Sequence, residues 1–394
     1  MEFFQGTLTA DPEFDTVRIF DTTLRDGEQA PRVSFSYEDK REIADQLDRM
    51  GTHVIEAGFP VNSDAEFEAV RDIAAGTRTT VAGLARVVDK DVEAALDAGV
   101  QLVHVFASTS DVQIADSMHS TREEVIERSV ACIERVKSAG VECMFSPMDA
   151  TRTEPGYLAE VVEATSAAGA DWINIPDTCG VATPKRMGDL VRFVRAHTDA
   201  QIDVHCHDDF GLATANAIAG YGAGAHQAQV SVNGIGERAG NAAYEEVVMI
   251  AESLNGVETG IDTTQIMDLS RTVAACSTLE VPPNKPIVGA NAFSHESGIH
   301  AAGVMQNSDT FEPGVMTPEM VGASREFVLG KHTGTHNVRR HLEEAGYAPT
   351  DEEVRAVTRR VKDYGAAKNR VTRGKLEEFA EAVGVARERE EVRL

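Results

Sequence analysis

Short apolar runs recur through the first 280 residues of the chain, and stretches of helical spacing separate most of them. The runs lie at 17–20, 53–57, 79–82, 102–106, 142–145, 172–175, 202–205 and 229–232. Each has the length of a strand. Between the first two runs, residues 37–50 place Ile43, Leu47 and Met50 at helical spacing, with Ser36 and Asp39 in capping-box positions. Ser63 with Glu66, and Ser120 with Glu123, repeat that start signal. Gly51, Gly76, Gly99, Gly140, Gly169 and Gly222 fall near the expected helix ends. Eight strands alternating with helices predict an α/β chain folded as a (β/α)8 TIM barrel. In such barrels the chemistry sits at the C-terminal ends of the strands. Arg25, Asp26, Glu56, His104, Ser146, Thr178, His205, His207 and Asn241 all fall there.

The rhythm breaks after about residue 275. Pro282, Pro283 and Pro286 exclude a helix interior. Residues 291–300 and 327–334 are polar and dotted with glycine, whereas 351–364 and 374–383 read as amphipathic helices. The pattern predicts a barrel domain over 1–280 and a smaller, mainly helical C-terminal region over 281–394, with a charged, fraying tail from 387.

Composition narrows the function classes. A chain of 394 residues, 42% hydrophobic, can bury a large core. Its 64 acids against 37 bases give a formal charge of −27, spread along the chain. Such a surface is strongly hydrated, as in proteins of a salt-rich cytoplasm, and it repels nucleic acid and anionic membrane. Five cysteines form no CxxC pair and read as thiols in a reducing compartment. The N-terminus has no basic segment followed by an apolar run, and no apolar stretch is long enough to span a bilayer. A cytoplasmic location is expected.

Three segments carry candidate chemistry. His205-Cys206-His207-Asp208-Asp209 ends the seventh run, and residues two apart on a strand project to one side. His205 and His207 can therefore share one divalent metal if a third ligand arrives from elsewhere. Asp21-Thr22-Thr23-Leu24-Arg25-Asp26-Gly27-Glu28-Gln29 follows the first run. Asp26 offers a hard oxygen ligand, and Arg25 can pair with an anionic substrate. Asn233-Gly234-Ile235-Gly236-Glu237-Arg238-Ala239-Gly240-Asn241 follows the eighth run. Its glycines allow close backbone approach to a ligand, and Asn241 offers a carbonyl oxygen. Glu237 and Arg238 can also simply pair with each other.

Together with Ser294–His300 (SHESGIH), these motifs resemble the 2-isopropylmalate, homocitrate and citramalate synthase family, from about residue 16 to about residue 345. The resemblance implies a TIM barrel that condenses acetyl-CoA, as co-substrate, with a 2-oxo acid. It implies a divalent metal (Mg, Mn or Zn) held by Asp26, His205, His207 and Asn241, the last directly or through water. Arg25, Glu56 and His300 are the candidate catalytic residues. Gln29, His104, Thr178 and Asn241 are candidate substrate contacts, with Ser108 and Met144 also expected on the pocket wall. His300 is expected to act in the neighbouring subunit's site of a homodimer. Asn174-Ile175-Pro176-Asp177-Thr178 resembles the 2-isopropylmalate and citramalate branches more than the homocitrate branch, and 2-oxoisovalerate is the favoured substrate. A separate leucine-binding domain, found in longer relatives, is not expected.

Two positions depart from the family pattern. Met148 stands where relatives usually have Glu, and Phe311 where they often have Tyr, so two proton-carrying groups are replaced. Other readings of the same barrel make different demands. A hydroxymethylglutaryl-CoA lyase uses a cysteine in its Gly-rich loop, and residues 233–241 contain none. A biotin-dependent carboxyltransferase carries a metal-bound lysine on a strand, and residues 172–177 contain none. A paralogue that binds oxo acid or CoA without turnover is the non-enzyme alternative.

Overall fold

Eight parallel strands close into a barrel in chain order: β1 Arg18–Asp21, β2 Val54–Gly58, β3 Thr80–Arg86, β4 Leu102–Ser108, β5 Glu142–Met148, β6 Trp172–Asp177, β7 Gln201–Cys206 and β8 Gln227–Val230. β1 pairs with both β2 and β8, which completes the ring. The structure, a computed structural model, describes residues 17–298, 303, 307 and 315–387. The chain divides into two compact units at Val281/Pro282. No helix among the described residues is long and apolar enough to cross a membrane.

The caps explain where the helices begin. Ser36 accepts from the Asp39 backbone N–H while the Asp39 side chain accepts from that of Ser36, and Tyr37–Met50 follows. Ser63 caps Asp64–Gly76 in the same way through the Glu66 N–H. The start expected at Ser120 lies one residue later. Thr121 is the cap of Arg122–Ser138, and the Ser120 hydroxyl donates to the Glu124 carboxylate instead. The eighth strand also differs from the apolar pattern. It starts at the polar, buried Gln227 and stops at Val230, because Val232 N–H leaves the sheet to bond Thr23 Oγ1 at 2.9 Å.

The barrel interior is layered, and the layering places the site. Phe20, Val54, Ala82, Leu102, Met144 and Trp172 pack together as an apolar floor from β1 to β6. Side chains alternate along a strand, so the next interior position is two residues on. That step brings Glu56, Leu84, His104, Ser146 and Asn174 into one layer. A further step brings Phe106, Met148 and Pro176. On β7 and its extension the same step carries His205 to His207. Polar chemistry therefore begins one layer above the floor. The floor also corrects one expectation: Met144 belongs to it and does not line the site cavity, and neither does Ser108.

The second unit has its own core. Val338, Leu342, Tyr347, Val354, Val357, Val361 and Leu376 join helices Thr335–Glu344, Asp351–Ala366 and Arg373–Val383. The first of these helices was hidden in the pattern, since Val338 and Leu342 are its only fully buried apolar side chains. Ser294–His295 and Glu326–Phe327 form a short parallel pair. Beside it Gly298 and Gly334 approach so closely that a Cβ on Gly298 would lie 2.7 Å from the Gly334 Cα.

Candidate active site

The turn after β1 is built on one carbonyl. Thr22 O accepts from the N–H groups of Arg25, Asp26 and Gly27 at 2.8–3.1 Å, which throws the Arg25 and Asp26 side chains over the barrel mouth. The loop after β8 closes onto the end of β7 from the other side. Asp208 N–H donates to Gly240 O, Ala242 N–H to Cys206 O, and Asn241 N–H to Gly234 O, at 2.9–3.0 Å. Gly240 has φ +99°, and a Cβ there would lie 1.9 Å from the Gly234 carbonyl oxygen. Only glycine fits that crossing.

These loops bring Asp26, His205 and His207 together. One ligating atom from each lies within 4.8 Å of the others, and all three residues are buried. His205 Nε2 and His207 Nε2 are 3.2 Å apart, with Asp26 Oδ2 at 3.4 Å and 4.0 Å from them. Burial disfavours charge on both imidazoles: it pushes the pKa of His205 down to about 3 and lowers that of His207. Burial works against the Asp26 carboxylate, yet Arg25, the two histidines and Asn241 hold its pKa below the usual range. His205 Nδ1 and His207 Nδ1 are buried and meet no partner among the described residues. Two neutral imidazoles that converge on a carboxylate through Nε2 fit a divalent cation, and three protein ligands leave positions open for a substrate.

Asn241 joins the cluster through its side-chain amide. Its Nδ2 donates to Asp26 Oδ2 at 2.8 Å, while its Oδ1 is buried and unpartnered among the described residues. It does not line the cavity.

A cavity of about 300 Å³ opens beside this cluster. Arg25, Gln29, His104 and Thr178, expected at the site, all line it. Glu56 does not reach it. That carboxylate is wholly buried, accepting from Arg25 Nε at 2.6 Å and Thr22 Oγ1 at 2.6 Å on Oε2, and facing His104 Nδ1 at 2.6 Å on Oε1. Its contacts are with Arg25, Thr22 and His104, in the barrel interior. Burial opposes its ionisation, but Arg25 and His104 keep its pKa well below the usual range. The Thr178 hydroxyl oxygen accepts from Asp149 N–H at 2.9 Å. Arg238 pairs with Asp209 at 2.8 Å and donates to Thr178 O, so it is not paired with Glu237; both Glu237 and Arg238 line the cavity. Met148 lines it as well, whereas the neighbouring Asp149 carboxylate is taken up by Arg152 and Ser110. His300 and Phe311 lie outside the described residues.

Several lining residues were not singled out from the sequence: Leu84, Phe106, Asn174, Pro176 and Gln229. Phe106 and Pro176 are each two residues from a position that was, His104 and Thr178, which is the signal that strand alternation would have supplied.

Similarity to known proteins agrees with this geometry. Residues 16–273 match the HMGL-like family, and 287–369 match the homocitrate synthase post-HMGL domain-like family. A protein of Archaeoglobus fulgidus named as a probable 2-isopropylmalate synthase is 51% identical over 95% of this chain and 75% of its own. The 2-isopropylmalate synthase of Sulfolobus acidocaldarius is 47% identical over 90% of this chain and 92% of its own. A Methanopyrus kandleri protein named as an (R)-citramalate synthase is 46% identical over 96% and 74%. Among solved structures, hydroxymethylglutaryl-CoA lyase from Pseudomonas aeruginosa superposes with a TM-score of 0.60 at 26% identity, covering 68% of this chain and 95% of that one. The chain belongs to the HMGL-like family, in the 2-isopropylmalate, homocitrate and citramalate synthase group of acyltransferases.

Proposed function

We propose that this enzyme condenses acetyl-CoA with a 2-oxo acid, with 2-oxoisovalerate preferred and 2-isopropylmalate the product. The observation that carries the reading is the Asp26–His205–His207 cluster, opening beside Arg25 into a cavity with an apolar side. Asp26, His205 and His207 would hold a divalent cation, which when bound supplies Lewis-acid polarisation of a chelating 2-oxo acid. Arg25 directs its guanidinium at the same mouth, fixed by Glu56 and by Asp26 at 3.1 Å, and so needs no reorganisation to stabilise a developing oxyanion. The Thr178 hydroxyl retains its proton for a substrate carboxylate. Leu84, Phe106, Met148 and Pro176 form an apolar wall for an alkyl group. The basic groups lining the cavity are Arg25 and Arg238, each already paired with carboxylate, so a second substrate carboxylate, as in 2-oxoglutarate, meets no free cation among the described residues.

Pyruvate and 2-oxoisovalerate differ by two methyl groups. Each methyl in an apolar pocket is worth about 1–3 kcal/mol. Mass spectrometry of products from acetyl-CoA with 2-oxoisovalerate, pyruvate and 2-oxoglutarate in competition tests the assignment. Predominant 2-isopropylmalate supports it, and predominant citramalate moves it to the pyruvate branch. The same proposal carries a cytoplasmic homodimer in which His300 handles a proton in the neighbouring subunit's site. Mixing inactive His300→Ala and Arg25→Ala proteins restores activity on that reading.

A further inference from the structure

Lys40 is the one buried lysine among the described residues, with 2% of its surface exposed. It projects from helix Tyr37–Met50, and its Nζ lies 2.6 Å from Glu66 Oε2 and 2.8 Å from Glu28 Oε2. Each carboxylate spends its other oxygen on a turn at the barrel mouth. Glu28 Oε1 accepts from Phe35 N–H at 2.9 Å, which closes the turn after β1. Glu66 Oε1 accepts from Phe59 N–H at 3.0 Å, in the turn after β2. Glu66 comes so close to the end of β2 that a Cβ on Gly58 would lie 2.0 Å from its Oε1. The sheet does not hold these two turns together. β1 pairs with β2 only at Phe20 with Val54 and Asp21 with Ile55. Past Ile55, β2 shifts register against β3 between Glu56 and Gly58. The first turn carries Arg25 and Asp26, with Glu28 two residues on. The second follows Glu56, the partner of Arg25.

We propose that Lys40 is a positioning residue: its ammonium ties the turn after β1 to the turn after β2 and so sets Arg25 and Asp26 over the barrel mouth. The kinetic consequence rests on the condensation reading. Lys40 neither lines the cavity nor belongs to the Asp26–His205–His207 cluster, so it acts through Glu28 and Glu66. One ammonium stands between two carboxylates in a place largely closed to water. Without it they face each other uncompensated, and like charges there push apart. That movement carries Glu28, and with it the neighbouring Asp26 and Arg25. A neutral side chain of similar length fills the space and bonds to neither turn.

The test compares wild type with Lys40→Met, with the triple variant Lys40→Met/Glu28→Gln/Glu66→Gln, and with Glu66→Gln alone. In the triple variant the amide oxygens still accept from Phe35 and Phe59, and no charge is left unpaired. Its melting temperature should recover from that of Lys40→Met toward wild type, while the tie stays missing. Groups that orient metal ligands are worth about 10–100-fold in affinity, so the triple variant should bind Mn²⁺ about 10-fold more weakly by calorimetry. A reacting group displaced by about 1 Å can cost about 10²-fold, so kcat for thiol release should fall about 10-fold or more, with the KM for acetyl-CoA little changed. Glu66→Gln, at a partly exposed end of the triad, should show both losses in smaller measure at a near wild-type melting temperature. Mn²⁺ affinity and kcat that return to wild type with the melting temperature of the triple variant overturn the positioning role. Unchanged affinity and kcat in Glu66→Gln overturn it as well, and that variant decides alone if the triple variant does not fold. A wild-type protein that binds Mn²⁺ yet releases no thiol from acetyl-CoA and oxo acid removes the condensation reading, and the calorimetry then decides on Lys40.

Discussion

Asn241 donates a 2.8 Å hydrogen bond to Asp26 across 215 residues of chain, joining the loop after β8 to the turn after β1. The bond fixes which way the carboxylate faces His205 and His207. Groups that orient metal ligands are typically worth about 10–100-fold in metal affinity. Asn241→Ala should weaken Mn²⁺ or Zn²⁺ binding by that factor while the melting temperature of the metal-free protein changes little. Isothermal titration calorimetry measures it; unchanged affinity would show that Asp26 is held by other means.

Arg25 makes its bond to Glu56 through Nε and its contact with Asp26 through a terminal nitrogen. Lysine cannot span both partners with one planar group. Arg25→Lys should lower kcat by about 10²–10³-fold, the range for losing a preorganised oxyanion donor. Metal affinity should hold, because Asp26, His205 and His207 are untouched. Steady-state thiol release and the metal titration together separate this from a general collapse of the site.

Gly240→Ala should destabilise the protein and loosen metal binding together. The new methyl would meet the Gly234 carbonyl at 1.9 Å, and φ +99° is a conformation that side chains resist. Strained backbone of this kind costs about 1–3 kcal/mol where the chain cannot yield. Where it does yield, it moves the neighbouring Asn241. Thermal melts and metal titration of the same sample check both halves.

Asp21 gives a prediction in pH. Burial pushes its pKa up to about 7 from an ordinary 3.8, against hydrogen bonds from Thr23 that favour the charged form. The native state therefore keeps a proton that the unfolded chain gives up between those values. The stability from this group is complete below about pH 4 and is lost as pH rises to about 7. Asp21→Asn removes the dependence. The melting temperature of wild type relative to the variant should fall between pH 4 and 7 and then level off. A difference that stays flat across that window would contradict the assignment.

The barrel was legible because short, mostly apolar runs alternate with stretches of helical spacing, and because Ser36, Ser63 and the glycines mark helix ends. The start of β8 was misread because Gln227 is polar yet buried, which an apolar pattern cannot register. The Asp26–His205–His207 cluster was legible because His205 and His207 are two apart at a strand end, and Asp26 follows another strand. Glu56 and His104 were legible as site residues, but their order was not. That Glu56 stands behind His104 and Arg25, not beside the substrate, depends on the interior layering of three strands. Leu84 was missed because an apolar residue in an apolar strand carries no local mark of facing a cavity.

The most direct test of the whole account is thiol release from acetyl-CoA at high KCl, with and without 2-oxoisovalerate, before and after chelation, in wild type and His205→Ala. The account predicts release only when oxo acid and divalent metal are both present. It predicts recovery on adding metal back, and a folded His205→Ala protein without activity. Release that persists without oxo acid, after chelation, or in His205→Ala would contradict the claim that Asp26, His205 and His207 are the centre of a metal-assisted condensation.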